Sequence, residues 1–156
     1  MVRSPRGGSR TKNWLITWNN PPFAILADNE LSPDHAVDQM IVKWADEQLT
    51  AGAFKHLTWQ LERGESGTLH LQGYVQFARR VRLSTVRRVF PGCHAEARRG
   101  THEEAVEYCS KEDTRCEGCE PHYIGEPDTG GQGKRTDLDD VRRRLFYRRS
   151  HLAPCA

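Results

Sequence analysis

The stretch that most constrains this chain is Thr68 to Phe77, TLHLQGYVQF, in which apolar and polar side chains alternate. A strand sends successive side chains to opposite faces. His70, Gln72, Tyr74 and Gln76 therefore line one face, and Leu69, Leu71, Val75 and Phe77 line the other. The expectation is that one face packs into a core and the other carries chemistry. A histidine and a glutamine two residues apart project in parallel, so an imidazole nitrogen and an amide oxygen can reach one cation. A strand with an ordinary solvated face looks the same, and the rest of the chain has to decide.

The neighbouring stretches supply partners for this strand. His56 to Glu62, HLTWQLE, also alternates, with Leu57, Trp59 and Leu61 inward and Thr58, Gln60 and Glu62 opposite. The intervening RGESGT contains Gly64 and Gly67, which suit a turn, so the two runs read as a hairpin. If the register keeps the polar faces together, Glu62 comes close to His70 and Gln72.

Upstream, Asn13 to Asn19 (NWLITWN) is a strand stopped by Asn20, Pro21 and Pro22. Ser32 and Pro33 open a helix whose Val37, Met40, Ile41, Trp44 and Leu49 recur at helical spacing until about Gly52. Downstream come a short helix (Leu83, Val86, Val89, Phe90), a half-exposed strand from Cys93 to Arg98, and a helix opened by a Thr101/Glu104 capping box. In that helix Ala105, Val106 and Cys109 form the apolar side, while Tyr108 and Lys111 share the other with Glu104. His122 to Gly125 supplies an edge strand. This order fits an α+β fold: a central, mainly antiparallel five-stranded sheet with flanking helices covering one face.

A chain of 156 residues with 37% hydrophobic content can bury one ordinary core, not two. The expected division is a disordered basic arm over residues 1–12, a folded domain over 13–126, and a linker over 127–156 leading into a helix from Thr136 to Arg149. The net charge of +2 makes no case for nucleic acid, but the arginines cluster at Arg79, Arg80 and Arg82, at Arg87 and Arg88, and at Arg98 and Arg99. Each cluster alone reads sooner as a solvated face than as a binding surface. The N-terminus has no apolar run of a secretory signal, and no stretch approaches membrane-spanning length. Five cysteines, an odd number without such a signal, suit free thiols in a reducing compartment.

Three segments, ITWNNP at Ile16 to Pro21, GTLHLQGYVQF at Gly67 to Phe77 and EYCSKE at Glu107 to Glu112, resemble in order and spacing the three motifs of the replication-initiator endonucleases of circular single-stranded DNA viruses, of the circovirus-like kind. The resemblance covers roughly Asn13 to Pro127. Those proteins belong to the HUH endonucleases, named for a histidine, hydrophobic, histidine motif. Gln72 stands here where the second histidine would be, as in circovirus-like members.

The resemblance implies an RNA-recognition-like, ferredoxin-like sheet and a nicking and joining enzyme for rolling-circle replication. Such an enzyme cuts the loop of a viral origin hairpin, leaves a free 3′-hydroxyl, and holds the 5′-phosphate on a tyrosine. By carry-over, Tyr108 is the nucleophile, Lys111 its partner lysine, and Glu62, His70 and Gln72 hold Mg²⁺ or Mn²⁺. Trp18, Asn19 and Asn20 lie in the motif that orients DNA, with Arg79, Arg80 and Arg82 as a positive groove. The resemblance also implies a downstream helicase domain, oligomerisation through that C-terminal part, and action in the host nucleus.

Elementary chemistry agrees with this assignment. A free tyrosine ionises near pH ~10, so it attacks at neutral pH only if its proton is removed and the phosphodiester is polarised. Carboxylate and amide oxygens with one imidazole are hard ligands suited to Mg²⁺ or Mn²⁺. Lys111 could stabilise a phenolate, contact the phosphate or protonate the leaving oxygen, and the sequence does not choose among these.

Three other patterns compete. Cys116, Cys119 and His122 read C-x-x-C-x-x-H, a fragment of a zinc site without a fourth ligand at matching spacing. His102-x-Glu104 before that pair resembles a zinc-deaminase signature but lacks its proline. Gly133-Lys134-Arg135-Thr136 misses a P-loop because Asp128 stands at the first glycine position. The rival function is a non-catalytic, RNA-recognition-like module that binds single strands by aromatic stacking.

Overall fold

The computed structural model describes residues 8–25 and 33–129. The first part of the expected basic arm, the Ser32 cap and the helix from Thr136 to Arg149 lie outside the described residues. Five strands, β1 (Thr11–Asn19), β2 (His56–Arg63), β3 (Leu69–Val81), β4 (His94–Ala97) and β5 (His122–Gly125), form one antiparallel sheet in the order β4-β1-β3-β2-β5. Three helices flank it: α1 (Pro33–Thr50), α2 (Leu83–Val89) and α3 (His102–Tyr108). A short 3-10 helix, Pro22–Ile25, follows β1.

The longest strand, β3, lies at the centre, between β1 and β2. The alternating run that opens it fixes which side of the sheet each residue occupies. Leu71, Val75 and Phe77 join Trp14, Ile16 and Trp18 of β1 and Leu57, Trp59 and Leu61 of β2 in the main core. The stripe of α1 (Val37, Ile41, Ala45) and Val86 of α2 cover that face. Trp18, Phe23, Trp44 and Phe90 meet there with ring centroids 5.5 to 6.0 Å apart, mostly edge to face, an arrangement that aromatic quadrupoles favour.

The opposite face is not open, which corrects the expectation that the helices cover one side only. Ala105, Val106 and Cys109 of α3 pack against Tyr74 in a second, smaller cluster flanked by Leu15 and Tyr123. The polar residues of this face, Thr58, Gln60, Glu62, Gln72 and Gln76, are consequently buried. Buried polar groups must find partners or cost stability. Here they bond along the face: Tyr74 Oη and Gln76 Nε2 both donate to Asn13 Oδ1, at 3.0 and 2.8 Å, and Arg98 Nη1 donates to Tyr74 Oη at 2.8 Å.

The hairpin depends on backbone geometry at its margins. Gly125, which ends β5, has φ +85°, and a Cβ there would run into the Lys55 carbonyl oxygen. Neither strain can be relieved by a side-chain rotation. Gly125→Ala is expected to destabilise the domain by on the order of 3 kcal/mol, measured as a lowered urea midpoint with an unchanged slope. A midpoint equal to the wild type would show that β5 is not part of the cooperative fold.

Candidate active site

The register of the central hairpin builds the site. In the β2–β3 ladder Glu62 stands directly opposite His70, and Gln60 directly opposite Gln72. His70 Nε2 lies 3.3 Å from Glu62 Oε1. On the other flank β1 sets Thr17 opposite Gln72 and Asn19 opposite His70. Thr17 Oγ1 donates to Gln72 Oε1 at 3.1 Å, and Gln72 Nε2 donates to the Ile16 carbonyl at 3.1 Å. The amide oxygen of Gln72 is thereby oriented and keeps one lone pair to offer.

Glu62 is 2% exposed. Its Oε1 accepts from Thr114 Oγ1 at 2.7 Å and its Oε2 from Gln60 Nε2 at 2.9 Å. Among the described residues no lysine or arginine pairs with it. Beside the His70 imidazole and these two hydrogen bonds, a cation would further offset the desolvation of this carboxylate. The donor set of carboxylate, amide oxygen and imidazole therefore fits a hard divalent ion both in ligand type and in charge.

The polypeptide after α3 runs beside the site, bonded to Gln60 and Glu62. Thr101 Oγ1 accepts from Glu104 N at 3.2 Å while Glu104 Oε2 accepts from Thr101 N at 3.0 Å, so the expected capping box starts this seven-residue helix. The helix ends at Tyr108. Lys111 is thus not on α3, contrary to the expectation that the two share a helix face. It lies just past the turn at 109–110 and still returns to the tyrosine, with Nζ 4.5 Å from the ring centroid. The chain then runs antiparallel along the edge of β2: Gln60 Nε2 donates to the Lys111 carbonyl at 2.7 Å, Arg63 N to the Thr114 carbonyl at 3.1 Å, and Cys116 N to the Leu61 carbonyl at 2.9 Å.

Tyr108 is 47% exposed, the one large apolar side chain of the described residues that faces solvent. Other candidate nucleophiles nearby are held in their neutral forms. Burial, and secondarily the Glu62 carboxylate, push the Cys109 thiol well up from its ordinary range. Burial likewise raises the Tyr74 phenol, with Arg98 offsetting part of the effect.

The expected DNA-contacting residues divide. Asn19 and Asn20 are exposed at the end of β1 beside His70, and Asn20 N donates to the Leu69 carbonyl at 2.8 Å. Trp18 is instead 2% exposed, its Nε1 donating to the Pro91 carbonyl at 2.8 Å. It is a core residue, which corrects its expected place at the DNA. Arg79, Arg80 and Arg82 are exposed, but nine strand positions separate His70 from Arg79, about 30 Å at ~3.4 Å per residue. They belong to the opposite end of the sheet.

Of the zinc fragment, Cys116 and Cys119 are buried, and His122 Nε2 lies 3.0 Å from Asp38 Oδ2 while its ring stacks on Trp59 at 4.1 Å. Among the described residues no three His, Cys, Asp or Glu side chains converge as a metal would require. Gln60, Thr114 and Thr17 are the site members that the sequence reading did not single out. Gln60 was legible as a face-mate of Glu62 two positions away, whereas Thr114 lies in irregular chain that carries no periodic signal.

One end of the antiparallel five-stranded sheet thus carries a buried carboxylate beside a half-buried imidazole, with an exposed tyrosine at the end of the helix that covers this face. Residues 11–112 match the family model described as "Putative viral replication protein", and the chain belongs to that family. It is similar to the master replication protein of banana bunchy top virus, 55% identical over 105 residues, 67% of this chain and 29% of that protein. It is also similar to the master replication protein of faba bean necrotic yellows virus, 39% identical over 113 residues, 72% of this chain and 31% of that protein. The replication-associated protein of canary circovirus is 40% identical over 135 residues, 86% of this chain and 38% of that protein. The chain thus spans about a third of the length of these relatives. Among the described residues no helix is long and apolar enough to cross a membrane.

Proposed function

We propose that this chain nicks and rejoins single-stranded DNA at a viral origin hairpin, through a covalent bond between Tyr108 and the 5′-phosphate. The observation that carries the reading is the register that sets Glu62 against His70 on a buried face, with the Tyr108–Lys111 pair on the segment bonded to the same strand. Glu62, His70 and Gln72 would hold Mg²⁺ or Mn²⁺, which when bound polarises the phosphodiester and orients it. The Tyr108 oxygen attacks phosphorus, the bond to the 3′-oxygen breaks, the phenolic proton departs, and the leaving oxygen takes up a proton. We assign to Lys111, whose ammonium lies 4.5 Å from the Tyr108 ring centroid, the roles of favouring negative charge on the phenolic oxygen and supplying that proton. The tyrosyl ester keeps the phosphodiester's energy, so reversal with a second 3′-hydroxyl joins strands without a nucleotide cofactor.

The rival reading needs exposed aromatic rings on which bases stack. On the sheet Trp14, Trp18, Trp59 and Tyr74 are all buried, which leaves Tyr108, on α3, as the exposed ring among the described residues rather than a stacking platform of several. The discriminating experiment incubates the chain with a pool of randomised single strands, labelled at the 3′ end, and Mn²⁺. A labelled band at the mass of protein plus DNA on a denaturing gel, lost with EDTA, is expected. Strands retained on a native gel with no denaturant-stable band would establish the binding module instead.

A further inference from the structure

We propose that Gln60 is a positioning residue, the clamp that fixes the carboxylate of Glu62 and the tyrosine-bearing segment to one another. Its side-chain nitrogen has two hydrogens, and both are used: one goes to Glu62 Oε2 at 2.9 Å, the other to the Lys111 carbonyl at 2.7 Å. One amide therefore joins the carboxylate of the cation site to the backbone three residues past Tyr108. Together with Thr114 Oγ1, which donates to Glu62 Oε1 at 2.7 Å, it ties the carboxylate to the segment that follows Tyr108.

The other end of the same amide argues against a role in stability. Gln60 is 0% exposed, yet its Oε1 has no hydrogen-bond partner among the described residues. A buried unpaired acceptor costs stability and offsets part of what the two donations contribute. The two donations also fix the orientation of the amide, since exchanging nitrogen and oxygen would set an acceptor against a carboxylate and a carbonyl. Gln60 thus trades stability for geometry. Holding one carboxylate oxygen from behind leaves the Oε1 edge toward His70, 3.3 Å away. Partners of this kind behind a metal-holding carboxylate typically change metal affinity or activity by about 10- to 100-fold.

Gln60→Met keeps the length and approximate volume of the side chain and removes both donations. Two measurements are made on the whole chain: Mn²⁺ affinity from the free-ion spin-resonance signal without DNA, and steady-state cleavage of a strand selected from the randomised pool. The expected variant is folded, binds Mn²⁺ about 10-fold more weakly, and cleaves with kcat lowered about 10- to 100-fold and KM for the strand unchanged. Mn²⁺ affinity or kcat within twofold of wild type overturns the assignment, as does a rise in KM alone. An unfolded Met variant also overturns it, because Gln60 would then be a stabilising residue. The cleavage arm rests on the function proposed above, whereas the titration does not. A wild type that binds Mn²⁺ but forms no adduct refutes that function and leaves Gln60 to be judged by Mn²⁺ affinity; a wild type that binds no Mn²⁺ refutes both.

Discussion

Tyr108→Phe is expected to abolish the covalent adduct while leaving single-stranded DNA binding within about 1 kcal/mol of wild type. The substitution removes only the hydroxyl. The ring is 47% exposed and packs no core, so the loss of one oxygen leaves α3 seated through Ala105, Val106 and Cys109. A surface change of this kind alters stability by no more than about 0.5 kcal/mol. Lys111 keeps a ring beneath its ammonium, an exposed contact that contributes about 0.5 to 1 kcal/mol. Retained binding with no denaturant-stable product would assign the attacking atom. A variant that still forms the adduct would shift the role to another residue, Tyr123 first, whose hydroxyl lies 3.3 Å from His102 Nε2 on the same face.

The hairpin at the heart of the site was legible because two alternating runs flank a glycine-containing turn, and a period of two leaves little freedom in which side chains share a face. The exact opposition of Glu62 and His70 needed the register, which follows once Arg63 pairs with Leu69. The start of α3 was legible from Thr101 and Glu104, a local exchange of hydrogen bonds that tertiary context did not need to override. Its end was not. Neither glycine nor proline follows Tyr108 before Lys111, and the helix stops because Lys111 and Thr114 are bonded to β2 instead. Trp18 was misread because its neighbours Asn19 and Asn20 are motif residues, although Trp14, Ile16 and Trp18 recur at the strand period and so share the core face. The burial of the polar face escaped the sequence for a related reason. Tyr74, Gln72 and Gln76 look solvated by type, and only the docking of α3 with its small residues Ala105 and Cys109 covers them.

His70→Ala is expected to lower metal-dependent cleavage about 10³-fold while the domain stays folded. On the proposed function, an ion held there would contribute several kcal/mol to the transition state by polarising the phosphodiester, and about 4 kcal/mol converts to that factor. Glu62 would keep its bonds from Thr114 and Gln60, so its buried carboxylate is not orphaned by the substitution. His70 itself is only partly buried, at the end of β3 where the ladder begins. The melting temperature without metal should accordingly stay within about 5 °C of wild type. A second readout needs no DNA. Any ligand that binds only the native state stabilises it by about 2.7 kcal/mol at a hundred times its dissociation constant. Mn²⁺ should therefore raise the melting temperature of the wild type by several degrees and that of the variant hardly at all. Equal shifts in the two proteins would place the ion elsewhere, and wild-type cleavage by the variant in saturating Mn²⁺ would remove His70 from the site.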